Sequence, residues 1–249
     1  MKWIRAVFSP TGTTDKVAGA ILAAQEAECI DLSASVEVRE IEKDTVLLAA
    51  APVYGGRIPE IALERLSALK GRGGPAVAVA VYGNRHYDDA LLELKDALEK
   101  NGFRVVAAAA FVAEHSIVRS IAAGRPDAAD LKTAAEFGAA VAAKLEKPEV
   151  EQSPVHVPGN PEYKARGGAA AHPTGDDKCV KCGLCATRCP LGAIPAEAPA
   201  TTGDTCINCM RCVAICPVKA RALPEAMTAA TKAKLETIAA VPRQPELFL

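Results

Sequence analysis

This chain of 249 residues is predicted to be an α/β protein in two unequal parts. Residues 1–147 should form a doubly wound, five-stranded parallel sheet, and residues 174–223 a small α+β domain. Three observations predict this. Apolar, β-branched runs alternate with helical spacing through the first part, and that alternation means a parallel sheet covered on both faces. The strands end in short loops rich in Gly, Ser, Thr and Tyr. Near the end, Cys179-x-x-Cys182-x-x-Cys185-x-x-x-Cys189-Pro190 is repeated as Cys206-x-x-Cys209-x-x-Cys212-x-x-x-Cys216-Pro217, each cysteine 27 residues after its counterpart.

The first strand, residues 2–8, stops at Ser9-Pro10-Thr11-Gly12-Thr13-Thr14, and helical spacing follows from 15 to about 28, with Val17, Ile21 and Leu22 on one side. A strand, a hydroxyl- and glycine-rich turn and a helix start make a phosphate-binding geometry. N–H groups at the helix N-terminus point outward, the dipole favours an anion, and the hydroxyls add donors. The turn lacks a Walker-type lysine, which speaks against a nucleoside triphosphate. An ordinary capped turn has the same periodicity. Cys29, the one cysteine outside the repeat, reads as a small core residue at the start of the second strand.

The next strand, 45–51, ends in Pro52-Val53-Tyr54-Gly55-Gly56-Arg57-Ile58-Pro59, and helical spacing resumes over 59–70, where proline suits the first turn. A strand over 75–81 ends in Tyr82-Gly83-Asn84-Arg85-His86-Tyr87. An amphipathic helix follows over 88–100, closed by Asn101-Gly102. The last strand is 103–113 and the last helix 127–145. In such sheets ligands bind at the carboxyl ends of the strands, where three loops, 9–14, 52–59 and 83–87, carry the unusual residues. Aromatics make up only 4% of the chain, yet Tyr54 and Tyr87 stand in two of these loops, where a tyrosine suits stacking on a flat ring. A tyrosine that merely covers a strand end is the competing reading. Glu114-His115-Ser116-Ile117 reaches the same edge; His115 or Ser116 either borders a ligand or belongs to a helix-capping loop with a surface histidine.

Residues 148–173 hold several prolines and glycines and no periodicity, as in an extended linker, with Tyr163 an aromatic that can pin it to a domain surface. His156 and His172, without ligand-spaced neighbours, are expected in solvent. In the cysteine repeat, C-x-x-C pairs alone would also fit zinc; the third cysteine, the fourth after three residues and the following proline favour iron–sulfur clusters. Residues 224–249 form a helix to about 240 and an apolar tail, either frayed or packed back on the first part.

The turn Ser9-x-Thr11-Gly12-x-Thr14 resembles the phosphate loop of the flavodoxin family, and Pro52-Val53-Tyr54-Gly55 and Gly83-Asn84-x-x-Tyr87 resemble its two ring-binding loops. The resemblance covers residues 1–147 and implies FMN. It puts Ser9, Thr11, Gly12, Thr13 and Thr14 around the phosphate and Tyr54 and Tyr87 on the two ring faces. Backbone from Gly55, Gly56, Gly83 and Asn84 would meet the polar edge of the ring, with Pro52, Val53, Arg85 and His86 completing the loops. The cysteine repeat is similar to bacterial two-cluster ferredoxins. That likeness implies two [4Fe–4S] clusters: one on Cys179, Cys182, Cys185 and Cys216, the other on Cys206, Cys209, Cys212 and Cys189. The combined order resembles the flavodoxin–ferredoxin fusion proteins.

The expected function is electron transfer between FMN, the two clusters and a redox protein donor or acceptor. The alternative is a flavin-dependent reductase of a small acceptor, with Arg57, His86, Tyr87 and His115 lining its pocket. The net charge of −1 gives no sign of nucleic acid or an anionic membrane. No apolar run is long enough for membrane insertion, and a homodimer is compatible with the sequence. Tight C-x-x-C repeats and the absence of an apolar leader segment place the expected chain in a reducing cytoplasm. Residues 1–173 carry 20 basic and 23 acidic residues and the remainder 9 and 7, so the cluster part is not an acidic body.

Overall fold

The computed structural model describes residues 1–148, 155–168 and 170–249. In chain order the elements are β1 (Lys2–Val7), α1 (Thr13–Ile21), β2 (Ala27–Asp31), β3 (Arg39–Ile41), β4 (Thr45–Pro52), α2 (Glu60–Leu66), β5 (Leu69–Gly71), β6 (Pro75–Tyr82), α3 (Ala90–Lys100), β7 (Arg104–Val112) and α4 (Ala128–Leu145). The cysteine-rich part contributes β8 (Thr174–Gly175), α5 (Leu184–Thr187), α6 (Arg211–Ile215) and β9 (Arg221–Ala222). The chain ends in α7 (Glu225–Ile238) and β10 (Glu246–Phe248).

The main sheet has the order β10-β7-β6-β4-β1-β2. Its five parallel strands follow the doubly wound flavodoxin-like order, with β1 between β2 and β4 and a switch point between β1 and β4. Strands β4, β6 and β7 are buried almost throughout, as β-branched and alanine runs covered on both faces must be. One face packs on α2 and α3 through Ala62, Leu66, Leu91, Leu94 and Leu98. The other packs on α1 and α4 through Val17, Ile21, Phe137 and Val141. Helices α1 and α4 come so close that any Cβ on Gly138 would collide with the Ile21 carbonyl.

Three features depart from the sequence expectations, and the tail takes one of the two courses left open for it. Helix α1 ends at Ile21, not near residue 28. The Leu22 and Ala23 N–H groups close the turn on Ala18 and Ala20 carbonyls, and Ala27–Asp31 is drawn into pairing with Trp3–Val7. Cys29 lies exposed on this edge strand, not in the core, with Arg5 donating to its Sγ at 3.2 Å. A two-stranded parallel sheet of β3 and β5 was not anticipated. The tail packs back: β10 pairs antiparallel with β7, Glu246 opposite Ala110 and Phe248 opposite Ala108, giving the main sheet a sixth strand.

The stretch between the two parts is bound down at several of its described residues. Val155 is buried in the core on the α3 side. Asp89 accepts the N–H groups of Asn160 and Lys164 (2.8 Å each), and the Tyr163 hydroxyl donates to Asp96 (2.5 Å). Arg166 donates to the Ile58 carbonyl (2.5 Å) and to Glu93 (2.6 Å). The acidic positions of α3 and its leading turn thus hold a basic strap. Further contacts join the two parts: Arg65 donates to Leu32 O and Pro190 O, and Arg211 lies 3.9 Å from Asp31. Among the described residues, no helix is long and apolar enough to cross a membrane.

Candidate functional site

A cavity of about 660 Å³ opens at the carboxyl ends of β1, β4, β6 and β7, within the range of roughly 300–1,000 Å³ that holds cofactor-sized ligands. Both parts of the chain wall it. The sheet side supplies Thr11, Thr13, Thr14, Pro52, Val53, Tyr54, Gly55, Gly83 and His115. The strap supplies Arg166 and His172, the second cysteine run supplies Asp204 to Asn208, and α7 adds Met227.

The turn after β1 is built as a donor surface. Gly12, at φ 91°, lets the chain enter α1, and Ser9 Oγ accepts the Asp15 N–H (3.0 Å), closing the turn. The N–H groups of Thr13 and Thr14 have no partner among the described residues, as expected in a first helical turn. Thr11, Thr13 and Thr14 face the large cavity. Ser9 and Gly12 face an adjoining one of about 280 Å³ with Arg5, Asp15, Asp31, Cys29 and Arg211.

The first ring loop behaves similarly. Tyr54 and Arg57 exchange backbone hydrogen bonds (2.9 and 3.2 Å), and a Cβ on Gly55, at φ 62°, would meet nothing within 4 Å. Tyr54 lies between the cavity and the cysteine part: burial, and then the neighbouring Cys209, push its hydroxyl well above the usual tyrosine range. Gly56 is off the cavity, lying so tightly under Asp88 that a side chain would collide with it.

In the second ring loop only Gly83 lines the cavity. Asn84, 5% exposed at φ 61°, donates to Ala239 O (2.8 Å) and Val241 O (3.0 Å) and accepts the Arg243 N–H (2.9 Å). Arg85 pairs with Asp88 (2.5 Å), and its carbonyl accepts from Arg243 Nε (3.1 Å). His86 accepts the Asp88 N–H at Nδ1 and stacks on Tyr87, ring centroids 4.9 Å apart. Tyr87 is 1% exposed and donates to Glu246 (2.7 Å), so it does not face the cavity as a ring-stacking tyrosine would. Burial, then the bond to Glu246, raise its pKa. Most of this loop therefore receives the tail. The partner lies more than 150 residues away, and no local signal announces it.

His115 occupies the wall that Tyr87 does not. Its Nδ1 accepts the N–H groups of Ile117 (3.2 Å) and Val118 (3.1 Å), which assigns the proton to Nε2. Burial pulls its pKa down to about 4, so the ring is neutral near pH 7. Its imidazole packs where a Cβ of Gly83 would stand. His172, expected in solvent, lines the cavity with Nδ1 3.2 Å from Asn208 Oδ1; His156 is exposed. Asn208 also donates to Ala171 O (2.9 Å).

The eight repeat cysteines fall into two groups. Cys179, Cys182, Cys185 and Cys216 wall a small cavity with Val180, Leu184, Pro199, Val218 and Arg221. Arg221 is 3% exposed; it donates to Pro173 O (2.5 Å) and approaches Cys185 Sγ (3.9 Å), while its Nε has no partner among the described residues. An anionic cluster offers such a donor an acceptor. Burial pushes the Cys209 thiol up to about 12, and Cys212, Cys189 and Cys206 lie near enough to add to the shift. Backbone N–H groups point at sulfur: Ala193 at Cys189 (3.3 Å), Asn208 at Cys206 (3.4 Å) and Ala220 at Cys216 (3.3 Å). Four acceptor sulfurs per group, each set by short spacers, fit a cubane cluster.

Residues 174–217 match the family model of a 4Fe–4S dicluster domain. The chain is 40% identical over 52 residues to NADH-quinone oxidoreductase subunit I of Escherichia coli K12, a match spanning 21% of this chain and 28% of that protein's length. Among solved structures it is similar to a flavodoxin from the domain Archaea (TM-score 0.41, 15% identity, 59% of this chain and 100% of the other). It is also similar to oxidised Flavodoxin 2 from Bacillus cereus (TM-score 0.43, 16% identity, 58% and 99%).

Proposed function

We propose that the chain is an electron-transfer protein carrying one FMN in the large cavity and two [4Fe–4S] clusters on the repeat cysteines. The observation that carries this reading is the shared cavity. Phosphate-turn hydroxyls, the Tyr54 loop and the Cys206 loop meet around one space, so a flavin there would lie against a cluster. The N–H groups of Thr13 and Thr14, with the hydroxyls of Thr11, Thr13 and Thr14, would hold the phosphate. Tyr54 would cover one ring face, and Gly55 and Gly83 would leave backbone room at the ring edge. Ser9 and Gly12 shape the turn from behind.

The inner cluster would use Cys206, Cys209, Cys212 and Cys189, and the outer one Cys179, Cys182, Cys185 and Cys216. FMN supplies exchange of one or two electrons and the clusters single-electron transfer, while the protein sets position and potential. The strap and the returning tail hold the two parts together, so transfer between them would not depend on a diffusive encounter. A reducing compartment, the cytoplasm, suits eight free thiols awaiting clusters, and the donor or acceptor would be another redox protein.

Anaerobic reconstitution with iron, sulfide and FMN tests the reading. It predicts about eight irons and one flavin per chain; full iron with no flavin would sink the assignment of residues 1–147. One observation favours a second reading, a reductase of a small acceptor: with Tyr87 withdrawn, Gly83, neutral His115 and His172 leave part of the cavity wall polar and unblocked. Saturable oxidation of the reduced protein by small acceptors would support it.

A further inference from the structure

The two halves of the cysteine repeat share a backbone but not their surroundings. Lys181 and Asn208, 27 residues apart, both take a left-handed conformation (φ 54° and 51°). Asn208 is 8% exposed and holds Ala171 and His172, and the preceding Ile207 packs against the sheet core and lines the cavity. At the matching positions of the other half, Val180 is 63% exposed and Lys181 faces solvent. Arg211 reaches across to Asp31, whereas its counterpart Leu184 is 37% exposed. One half is committed to the α/β part and the other is turned outward.

Val180, Leu184 and Val218 (38% exposed) wall the outer cysteine cavity and form an apolar surface over its thiols. Lys178, Lys181 and Lys219 border it, all exposed and without an ion-pair partner among the described residues. Asp176 and Asp177 precede them, and Asp176 Oδ1 is turned back onto the Lys178 N–H (3.0 Å).

We propose that this face is the docking surface for an acidic one-electron redox protein, with the outer cluster as the port through which electrons enter. The proposal rests on the function above. The step is balanced: the reduced partner loses one electron and the outer cluster gains it, with no proton or bond exchanged. A cluster with its thiolates is itself anionic and reaches the surface at Cys182, but the three exposed lysine ammoniums outnumber the exposed Asp176 and Asp177 carboxylates on the rim that an approaching partner meets. An apolar centre with a charged rim is the usual anatomy of such a contact, the rim charges governing encounter rate and partner choice. Carboxylates around the partner's own redox centre are the complement this rim accepts.

The test uses the full holoprotein and an acidic plant-type [2Fe–2S] ferredoxin, both oxidised so that no electron moves, with Kd measured by calorimetry. Raising ionic strength to about 1 M, where the screening length is about 3 Å, should weaken binding by roughly tenfold or more. Lys181→Glu with Lys219→Glu should do the same at low salt. Lys178→Glu with Val180→Asp repeats the test without touching a left-handed position. In stopped flow, the second-order rate of reduction by the reduced ferredoxin should fall in parallel, with iron, sulfide and flavin contents unchanged. Lys132→Glu, on α4, should alter neither quantity.

Binding that strengthens with salt, or that ignores both pairs of substitutions, overturns the proposal. Retention on nucleic acid that these substitutions abolish while ferredoxin binding holds overturns it equally. The function above fails separately, by an absent flavin or absent clusters, whereas lysine insensitivity in a fully loaded preparation removes only the docking surface.

Discussion

Glu93 is the residue on which the strap and the first ring loop converge. Its side chain is 6% exposed, and it accepts from Arg57 Nε (2.9 Å), Arg57 Nη2 (2.5 Å), the Ile58 N–H (2.9 Å) and Arg166 Nη2 (2.6 Å). In Glu93→Gln one side-chain oxygen still accepts, but the new amide NH₂ faces guanidinium donors with nothing to receive its protons. Removing one partner of a buried pair costs about 3–5 kcal/mol. The low end applies because Arg166 keeps 28% of its side-chain surface in water. A loss of about 3 kcal/mol corresponds to a fall in Tm of roughly 6–12 °C for a chain of this size. Trp3, the sole tryptophan and 5% exposed in β1, reports unfolding of the α/β part by fluorescence. A fall of under about 3 °C, equivalent to roughly 1 kcal/mol, would refute the claim that Glu93 ties strap and loop together. Arg166 should also gain side-chain mobility in the variant.

His115 gives stability a pH dependence. Burial depresses its folded pKa from 6.5 to about 4, so between these values the unfolded chain binds more protons. The contribution is complete above about pH 6.5 and is lost as pH falls to about 4. It is worth at most about 3 kcal/mol, less whatever solvent screening the partly open wall allows. Urea unfolding of the flavin-free protein should show this slope, and His115→Gln should flatten it; identical slopes would contradict the assignment. Deleting residues 242–249 should expose the β7 edge and speed amide exchange around Ala108–Ala110 by roughly tenfold or more, and unchanged protection would mean that the tail is not paired there in solution. Cys182→Ala should lose about four irons while retaining flavin; joint loss of both would argue against separate sites.

The sheet was legible because its signal is local. Runs such as Pro75–Tyr82 are too apolar and too short for anything but a covered strand, and the helices between them carry their own spacing. Helix α1 was overestimated because Ala23 to Glu28 suit a helix by propensity, while the pairing of Ala27–Asp31 with β1 is a tertiary effect no window reveals. The same limit explains Tyr87 and Asn84. Their loop has the composition of a ring-binding loop, yet the groups that satisfy them, Glu246 and the carbonyls of Ala239 and Val241, come from the far end of the chain. His172 lacked a ligand-spaced neighbour in sequence and acquires its surroundings only when Asn208 folds against it. The cysteine spacing identified which thiols belong to the repeat. It could not show that one half faces the cavity and the other faces solvent.

The proposed function requires that a flavin in the shared cavity exchange electrons with the adjacent inner cluster within one chain. Flash reduction of the flavin in anaerobic holoprotein, followed by the recovery of its absorbance, tests this directly. The expected result is a first-order recovery whose rate is independent of protein concentration and which disappears in Cys209→Ala with flavin retained. A rate proportional to protein concentration, or one unchanged by Cys209→Ala, would contradict it.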